Sequence, residues 1–275
     1  MNQERSSERE GDGIMNNKNK SLADKIPKRV WLLISFAVAM LFWYILSIIP
    51  STSRAFQNVV VVCQSIKTMI DRGVLGTDIL SSLISVVAGY VLGFVIALPV
   101  AILMAWYKPV RYIIDPWIQF IRNIPPLAYV PLIVIAAGVG RKPQIIVITI
   151  ACFLTMCITI YQGVINVDET LIKAARVLGA TDKDIFIRVI APATLPFILT
   201  AVRLGASVAL TTLIAAESTG ATAGLGMRIR SLNNSFESAP MLLYIIIIGI
   251  LGISMEKLIK YLERRLTSWQ EKREI

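Results

Sequence analysis

The chain has no histidine and only three cysteines among its 275 residues. Histidine is the commonest general base and metal ligand near neutral pH, so its absence argues against most hydrolytic and metal-dependent enzymes. Cys63, Cys152 and Cys157 form neither an even disulfide framework nor a metal-binding spacing. Cys152 and Cys157 lie in an apolar run, where a small buried side chain is the expected role. The sequence therefore predicts no bound metal and no cofactor.

Charged residues are also scarce. Asp, Glu, Lys and Arg make up 17% of the chain, whereas 55% of it is hydrophobic. A soluble domain carries about 25% charged residues, so the expected solvent is the lipid bilayer. The net charge of +10 raises the alternative of a nucleic-acid-binding protein. Basic loops on the cytosolic face of a membrane explain that charge better, and we expect no nucleic-acid partner.

Apolar runs near the length of a membrane-spanning helix, about 20 residues, recur along the sequence. We predict an all-α membrane protein with about six transmembrane helices. The first run lacks a small-residue cleavage site behind it, so we expect a retained helix. The predicted spans lie near residues 30–49, 79–106, 127–140, 143–165, 195–217 and 240–259. The predicted domains are a disordered cytosolic tail (1–29), a first transmembrane helix with an outer amphipathic segment (30–74), a core transmembrane domain (75–260) and a basic cytosolic tail (261–275).

The third span is interrupted at its start. Residues 113–121 indicate a piece at the membrane interface, and Arg122 is followed by the adjacent prolines Pro125 and Pro126. Adjacent prolines are incompatible with a regular helix. Irregular backbone at membrane depth occurs only where it is buried in protein or lines a cavity. Two interpretations stay open: a pathway element, or a simple loop ahead of a short helix.

The charge distribution predicts the orientation. Lys and Arg are more frequent in the tails, around residue 110 and in residues 166–192 than in the other loops. Because cytosolic loops carry an excess of Lys and Arg, both termini and residues 166–192 are expected in the cytosol.

Residues 166–192 form a polar segment between two apolar runs, and we call them the polar segment. Asp168 is a good N-cap for a short helix, and Gly179 comes where a left-handed residue should end it. That helix has one apolar face, made by residues at helical spacing. These residues are Leu171, Ala174, Ala175 and Leu178.

The second half of the polar segment predicts another helix. Thr181 and Asp184 fit a capping box that begins a helix over residues 182–190. Pro192 and Pro196 are expected to stop or kink the chain before the next span. A helix–turn–helix unit of this kind has little role inside a bilayer, so it indicates a docking site for a cytosolic partner. The alternative is a solvated loop.

The polar segment resembles the EAA loop of ATP-binding-cassette importer permeases. That pattern reads Glu-Ala-Ala, three residues, Gly, nine residues, Ile-x-Leu-Pro. Here Lys173-Ala174-Ala175 is followed after three residues by Gly179 and after nine more by Val189-Ile190-Ala191-Pro192. The spacing is kept, but lysine replaces the family's glutamate at position 173. Residues 75–260, including the Arg122–Leu127 stretch and Ala223-Gly224-Leu225-Gly226, resemble the taurine, alkanesulfonate and nitrate branch of these permeases.

The resemblance implies a type I importer fold and a role as the permease subunit of an ATP-driven, binding-protein-dependent importer. The implied partners are two ATPase subunits, a second and identical permease chain, and an extracytoplasmic solute-binding protein, all at the plasma membrane of a prokaryote. ATP hydrolysis belongs to the separate subunit. The solute is expected to be small and anionic or zwitterionic. The residues implied in coupling to the ATPase are Lys173, Ala174, Ala175, Leu178, Gly179, Asp182 and Pro192.

A second group of residues are candidates for the solute pathway or its gate. They are polar or helix-breaking groups in or next to apolar spans, where such groups usually face a bundle interior or a wet cavity. For Glu217, a structural ion pair with an arginine such as Arg228 is favoured over a place in the pathway. The candidates are Arg122, Pro125, Pro126, Arg203, Ser207, Thr211, Thr212 and Glu217.

Two other function classes compete with this one. An ion-driven secondary transporter often has internal repeats and intramembrane ion ligands. The sequence has no convincing repeat and one strong candidate carboxylate, so this remains the alternative hypothesis. A membrane enzyme would need a catalytic cluster, and the sequence offers none.

Overall fold

The computed structural model of the chain describes residues 27–266. The predicted amino-terminal tail up to residue 26 and the basic tail beyond residue 266 lie outside the described residues. Within residues 27–266 the secondary structure is helical and contains no strand. The helices are α1 (Lys28–Ile48), α2 (Val59–Asp71), α3 (Leu75–Trp106), α4 (Lys108–Arg122), α5 (Pro126–Ala137), α6 (Arg141–Ile165), α7 (Glu169–Val177), α8 (Asp182–Ile185), α9 (Ala191–Gly220), α10 (Leu225–Asn234) and α11 (Ser238–Leu266).

The described chain divides into two compact units, with the division between Val59 and Val60. The first unit contains α1, which begins directly after Pro27 and ends before Pro50. Proline suits both positions, since it tolerates helix starts and cannot continue a helix. The indole Nε1 of Trp43 donates a hydrogen bond to the Gln57 carbonyl at 2.9 Å, which ties the following turn back to α1.

In the second unit, α6 is the central helix and packs against both α3 and α9. Two glycines of α3 permit the close approach to α6. A Cβ atom at Gly89 would lie 2.7 Å from the Ile148 Cβ, and one at Gly93 would lie 2.7 Å from the Cys152 Cβ. Small residues at helix contacts are typical of membrane bundles, where association depends on packing rather than on the hydrophobic effect. Cys152 and Cys157 are fully buried in this core, as predicted.

Five helices of the described chain are long and apolar enough to cross a membrane, and the count is six if α4 and α5 together form one span. This agrees with the predicted number of about six. The helices that pass individually are Arg29–Ile48, Leu75–Trp106, Arg141–Ile165, Asp182–Gly220 and Ser238–Arg265.

The third span is broken at the double proline, as predicted, but the apolar helix after the break is too short to cross the membrane alone. Helices α4 and α5 are bent by 104° at the double proline. Helix α5 has only 12 residues, which corresponds to about 18 Å of rise against a hydrocarbon thickness of about 30 Å. Pro126 opens α5 at a position where its missing N–H is harmless, and the residue before it is extended, so the break is caused by the prolines.

The fifth span also differs. Pro192 and Pro196 were expected to interrupt the chain, but Asp182–Gly220 runs as one helix of 39 residues. A π-helical turn at Phe186–Ile190 precedes Pro192, and the Ala191 N–H donates to the carbonyl of Phe186. Pro192 has no N–H to donate to the carbonyl of residue 188, and the wider turn removes the clash that a regular helix would have there.

Candidate functional site

The polar segment has the geometry of two capped helices joined at a glycine. The Asp168 carboxylate accepts a hydrogen bond from the Thr170 N–H at 2.8 Å and caps α7, which lowers the pKa of Asp168 below its usual value. Gly179 has φ +81°, and the Ala180 N–H donates to the Ala175 carbonyl at 3.0 Å. These features form the left-handed helix end that the sequence predicts.

The capping box of the second helix is also confirmed. The Asp184 N–H donates to the Thr181 hydroxyl oxygen, and the Asp184 carboxylate accepts from the Thr181 N–H. The helix that begins there is short as an α-helix, because α8 passes directly into the π-helical turn and α9. The predicted end at residue 190 is therefore wrong, and the polar segment is joined to the fifth span without a loop.

Helix α7 has no buried residue. The apolar face predicted from the sequence is uncovered, and Val177 and Leu178 at its end are each 87% exposed. Leu171 lies on the same side and is 52% exposed. Exposed large apolar side chains that cluster on one short helix mark an interaction surface.

The charges around this surface are paired within the chain. The Lys173 Nζ lies 3.0 Å from the Glu169 carboxylate, one helical turn away. Two further pairs join Arg176 to Asp182 at 3.5 Å and Arg188 to Asp184 at 3.7 Å. Because these groups are solvent-exposed, each pair stabilises the fold only slightly. They nevertheless neutralise the surface and leave its apolar side chains as the distinctive contact.

The eight pathway candidates do not form one site, because four line one cavity, two line another, and Pro125 and Glu217 line neither. Four of them meet at a cavity of about 260 Å³ that we call the Arg122 cavity. Helices α4, α5, α6 and α9 all contribute to it. Arg122 is the single charged side chain of its lining. Its lining includes Arg122, Pro126, Tyr129, Thr155, Thr211 and Thr212.

Arg203 and Ser207 line a different cavity, of about 290 Å³, between α9 and α11. Glu256 also lines it, and Arg203 forms an ion pair with Glu263. Arg203 therefore lies in a mixed-charge region that joins the two helices. Pro125 lines neither cavity and forms the N-cap of α5. A further cavity of about 480 Å³ between α3, α9 and α11 is almost wholly apolar and offers no cation.

A largely buried set of polar groups lies at the end of α9 that is opposite the polar segment, and we call it the distal polar cluster. It consists of Asp78, Ser82, Glu217, Arg228, Tyr244 and the amides of residues 224–226. The Glu217 carboxylate accepts from the Ser82 hydroxyl at 2.6 Å and from the Gly226 N–H at 2.7 Å. The predicted ion pair of Glu217 with Arg228 is therefore wrong. The partner of Arg228 is Asp78, whose Oδ2 lies 2.7 Å from Nε.

Asp78 was missed by the sequence analysis. It is fully buried, accepts hydrogen bonds from the Gly224 N–H at 3.1 Å and from the Tyr244 hydroxyl at 3.0 Å, and joins three helices. One signal was available: a carboxylate in the first turn of a 32-residue apolar helix. Such a group requires a partner, and the basic residues of the loop after α9 were the candidates.

Known proteins resemble this chain in sequence and in fold. Residues 89–268 match the family described as "Binding-protein-dependent transport system inner membrane component". A probable ABC transporter permease protein of Brucella abortus is 45% identical over 240 residues, which cover 87% of this chain and 95% of that one. The taurine transport system permease protein of Escherichia coli is 40% identical over 172 residues, 62% of each chain.

A nitrate import permease protein of Leptolyngbya laminosa is 29% identical over 248 residues, with 87% of this chain and 88% of that chain covered. Among solved structures, a chain of the MetNI methionine ABC transporter in an inward-facing conformation matches with a TM-score of 0.60 at 21% identity. The match covers 70% of this chain and 96% of that one, so the two chains share a fold.

Proposed function

Because this chain belongs to the family of binding-protein-dependent transport system inner membrane components, we propose that its polar segment docks an ATPase and that the Arg122 cavity is part of the solute path. The chain is a multi-pass membrane protein and a transport subunit. Family membership leaves the alternative of an ion-driven secondary transporter without support. ATP hydrolysis is assigned to the separate subunit.

The docking proposal rests on the exposed apolar side chains at the end of α7. Val177 and Leu178 project from a helix with no buried residue, and Gly179 holds the turn behind them. Lys173 stands where the family has glutamate, and its ammonium is already paired with Glu169. A lysine does not supply the carboxylate that the family pattern has at this position. We infer that docking here depends on apolar contact, with alanines at 174 and 175 small enough to let α7 enter a groove.

The solute path is proposed from the Arg122 cavity. A volume of about 260 Å³ is large enough for a small organic acid, although it lies just below the usual range for ligand sites. One arginine with no carboxylate in the lining favours an anionic group, since a guanidinium presents several N–H donors to an oxyanion. The relatives named for taurine and for nitrate support a small anionic or zwitterionic solute.

The remaining partners are proposed from the family. They are two ATPase subunits, a second and identical permease chain, and an extracytoplasmic solute-binding protein, at the plasma membrane of a prokaryote. Residues 75–260 would form the core permease domain, with residues 30–74 as an added helix and outer segment. The distribution of Lys and Arg supports an orientation with both termini and the polar segment in the cytosol.

The test is co-purification in detergent with the ATPase subunit of the same transport system, comparing the wild type with Gly179→Asp. A Cβ atom at Gly179 meets nothing within 4 Å, so the substitution creates no clash inside this chain. It strains the left-handed turn and adds a charge beside Leu178. We expect normal membrane insertion and loss of the complex.

Gly73→Asp is the matched control. Gly73 also has a positive φ, +68°, and open space around it, but it lies in the loop between α2 and α3. This variant should keep the complex. Retention of the ATPase by Gly179→Asp at the wild-type level would contradict the docking proposal, and loss of the complex in both variants would show that backbone strain alone is responsible.

A further inference from the structure

Helix α4 follows α6 from one end of that crossing helix to its middle. The guanidinium of Arg111, in the first turn of α4, lies 5.3 Å from the Tyr161 ring, near the end of α6 that leads to the polar segment. At the other end of α4, Arg122 shares a cavity with Leu154 and Thr155. These two residues are at the middle of α6, which has 25 residues. Because 25 helical residues correspond to about 37 Å and the hydrocarbon core measures about 30 Å, this end of α4 lies near the middle of the bilayer.

One face of α4 is polar along the whole length of the helix. Its residues recur at spacings of three, four, four and three, so they lie on one side of a helix with 3.6 residues per turn. Ile118 lies on another side and is buried in the core. Asp115 is half-buried, and the other four residues of the polar face are exposed. We call these residues the α4 polar face: Lys108, Arg111, Asp115, Gln119 and Arg122.

Lipid does not suit the part of this face near the bilayer middle. The side chains of Gln119 and Arg122 have no hydrogen-bond or ion-pair partner among residues 27–266. Ionisable side chains at this depth are costly, and they almost always face a bundle interior or a water-filled cavity. The backbone at 123–125 is not helical, and irregular backbone within the membrane is tolerated only inside protein or beside water. The α4 polar face therefore contacts either another protein chain or water.

The charge of the α4 polar face favours water over a second copy of this chain. The face carries three cations and one acid. In a two-fold symmetric contact between identical chains, the same patch meets itself. A dry contact would place the surplus cations of one chain against those of the other, and like charges repel most strongly where water is excluded. Water is therefore the environment that fits this face.

We propose that the α4 polar face lines a water-filled route from the Arg122 cavity to the cytosol, and that its surplus positive charge guides the anionic group of the solute. The proposal rests on the proposed function, since it extends the solute path from that cavity. Arg122 and Arg111 are 11 residues apart, about 16 Å along the helix, so a solute that leaves one guanidinium meets the next on its way out. Asp115 stands between them and weakens the attraction, which suits a route where a solute must bind and leave again.

The experiment measures the reaction of single cysteines with membrane-impermeant methanethiosulfonate reagents. The full-length chain is expressed together with its ATPase subunit, and inverted membrane vesicles expose the cytosolic side. Cys63→Ser provides the background, since Cys152 and Cys157 are 0% exposed. We expect Gln119→Cys and Asp115→Cys to react. The reaction is followed with and without ATP, so that a route open in one state only is still detected, and two positions keep the test available if one variant does not fold.

Controls come from the same helix and from the opposite side of the membrane. Trp117→Cys lies on the side of α4 away from the polar face and Ile118→Cys lies in the core, so neither should react. Lys108→Cys at the cytosolic end should react, and Asn234→Cys at the distal end of the bundle should not. Every variant should react after denaturation, which shows that its cysteine is present.

Two results of this scan would overturn the proposal. If positions 115 and 119 stay unreactive in both states while position 108 reacts, the α4 polar face is in dry contact with another chain. If position 117 reacts as fast as position 119, water is not confined to the polar face.

The charge preference is tested at Gln119→Cys. A sulfonate-bearing reagent and a trimethylammonium-bearing reagent are compared, each relative to its rate with free cysteine. We expect the sulfonate to be favoured by about tenfold, as in clefts lined by one sign of charge. Arg111→Gln should reduce this preference, whereas Arg141→Gln, which removes an exposed arginine at the distal end of α6, should not. An unchanged preference in Arg111→Gln would overturn the guiding role of the cations. Because labelling requires no transport, these results are independent of solute uptake, which tests the Arg122 cavity itself.

Discussion

The guanidinium of Arg228 donates to both oxygens of the Asp78 carboxylate, at 2.7 and 3.4 Å, across 150 residues of sequence. Asp78 comes from the first turn of α3 and Arg228 from α10, so this ion pair fixes α10 on the start of α3. Tyr244 of α11 donates to the same carboxylate. One buried acid thus joins three helices at the end of the bundle farthest from the polar segment.

Breaking this pair should destabilise the protein strongly. Asp78→Asn leaves Arg228 without its counter-ion in a largely buried place, and removal of one partner from a buried ion pair costs roughly 3–5 kcal/mol. The measurement is the free energy of unfolding in detergent for Asp78→Asn, Arg228→Gln and the double variant. We expect the double variant to be less destabilised than the sum of the two single ones.

The exposed pair of Arg72 with Glu237, at 3.3 Å, is the control for that cycle. Its side chains are 50% and 39% exposed, so its coupling energy should be below about 1 kcal/mol. Equal coupling energies for the two pairs would show that burial of Asp78 adds nothing.

Gly93→Ala should separate α3 from α6. The added Cβ would lie 2.7 Å from the Cys152 Cβ and 3.1 Å from the Thr149 carbonyl oxygen, and overpacking of this kind costs about 1–3 kcal/mol. Gly76→Ala on the same helix meets nothing within 4 Å. It should be neutral or slightly stabilising, because alanine favours a helix over glycine. Thermal denaturation of both variants in detergent measures the difference, and equal midpoints would rule out the close contact as the reason for glycine.

Arg122→Gln should reduce anion transport while the protein still folds. Arg122 is exposed and supplies the single charge of the Arg122 cavity. Taurine and nitrate, the solutes named for two relatives, are offered to vesicles that hold the complete importer. For whichever of them the wild type takes up, the initial rate should fall by about tenfold, the size of effect that about 1.4 kcal/mol of lost interaction produces. Arg122→Lys keeps the charge and should retain part of the rate. Undiminished uptake by Arg122→Gln of a solute that the wild type transports would place the solute path elsewhere.

The cap of α7 should depend on pH. The Asp168 carboxylate accepts the Thr170 N–H, and this hydrogen bond lowers the pKa of Asp168 when the segment is folded. A carboxyl with a lowered folded pKa contributes stability that is present above its unfolded pKa and is lost as pH falls through the folded value. Hydrogen-exchange protection of the first amides of α7 should therefore decrease in acid. Asp168→Asn caps without titrating, so a similar acid loss in that variant would assign the effect to another group.

Most of the structure of the polar segment could be predicted from residues that are close together in the sequence. Helix caps depend mainly on hydrogen bonds between residues that are close in sequence. Asp168, Gly179 and the Thr181–Asp184 pair are features of this kind. The approximate number of spans was predictable for the same reason, since about twenty apolar residues are sufficient for a crossing helix.

Other features depend on contacts that a single sequence does not reveal. Asp78 and Arg228 are separated by 150 residues, so their pairing requires the packing of α3 against α10. The predicted ion pair of Glu217 with Arg228 was wrong because a carboxylate does not need a cation as its partner. The Ser82 hydroxyl and the Gly226 N–H donate to Glu217 instead. The continuity through Pro192 was missed because a π-helical turn offers an alternative to breaking the helix.

The unbroken helix from Asp182 to Gly220 has a mechanical consequence. Its 39 residues correspond to a rod of roughly 58 Å, so a tilt of roughly 5° about one end displaces the other by roughly 5 Å. Glu217, near one end, is held by Ser82 and Gly226, whereas the other end begins at the capping box beside the exposed side chains of α7. No loop lies between the two ends to absorb movement. A displacement of the helix end beside α7 would therefore also move the part of α9 that lines the Arg122 cavity.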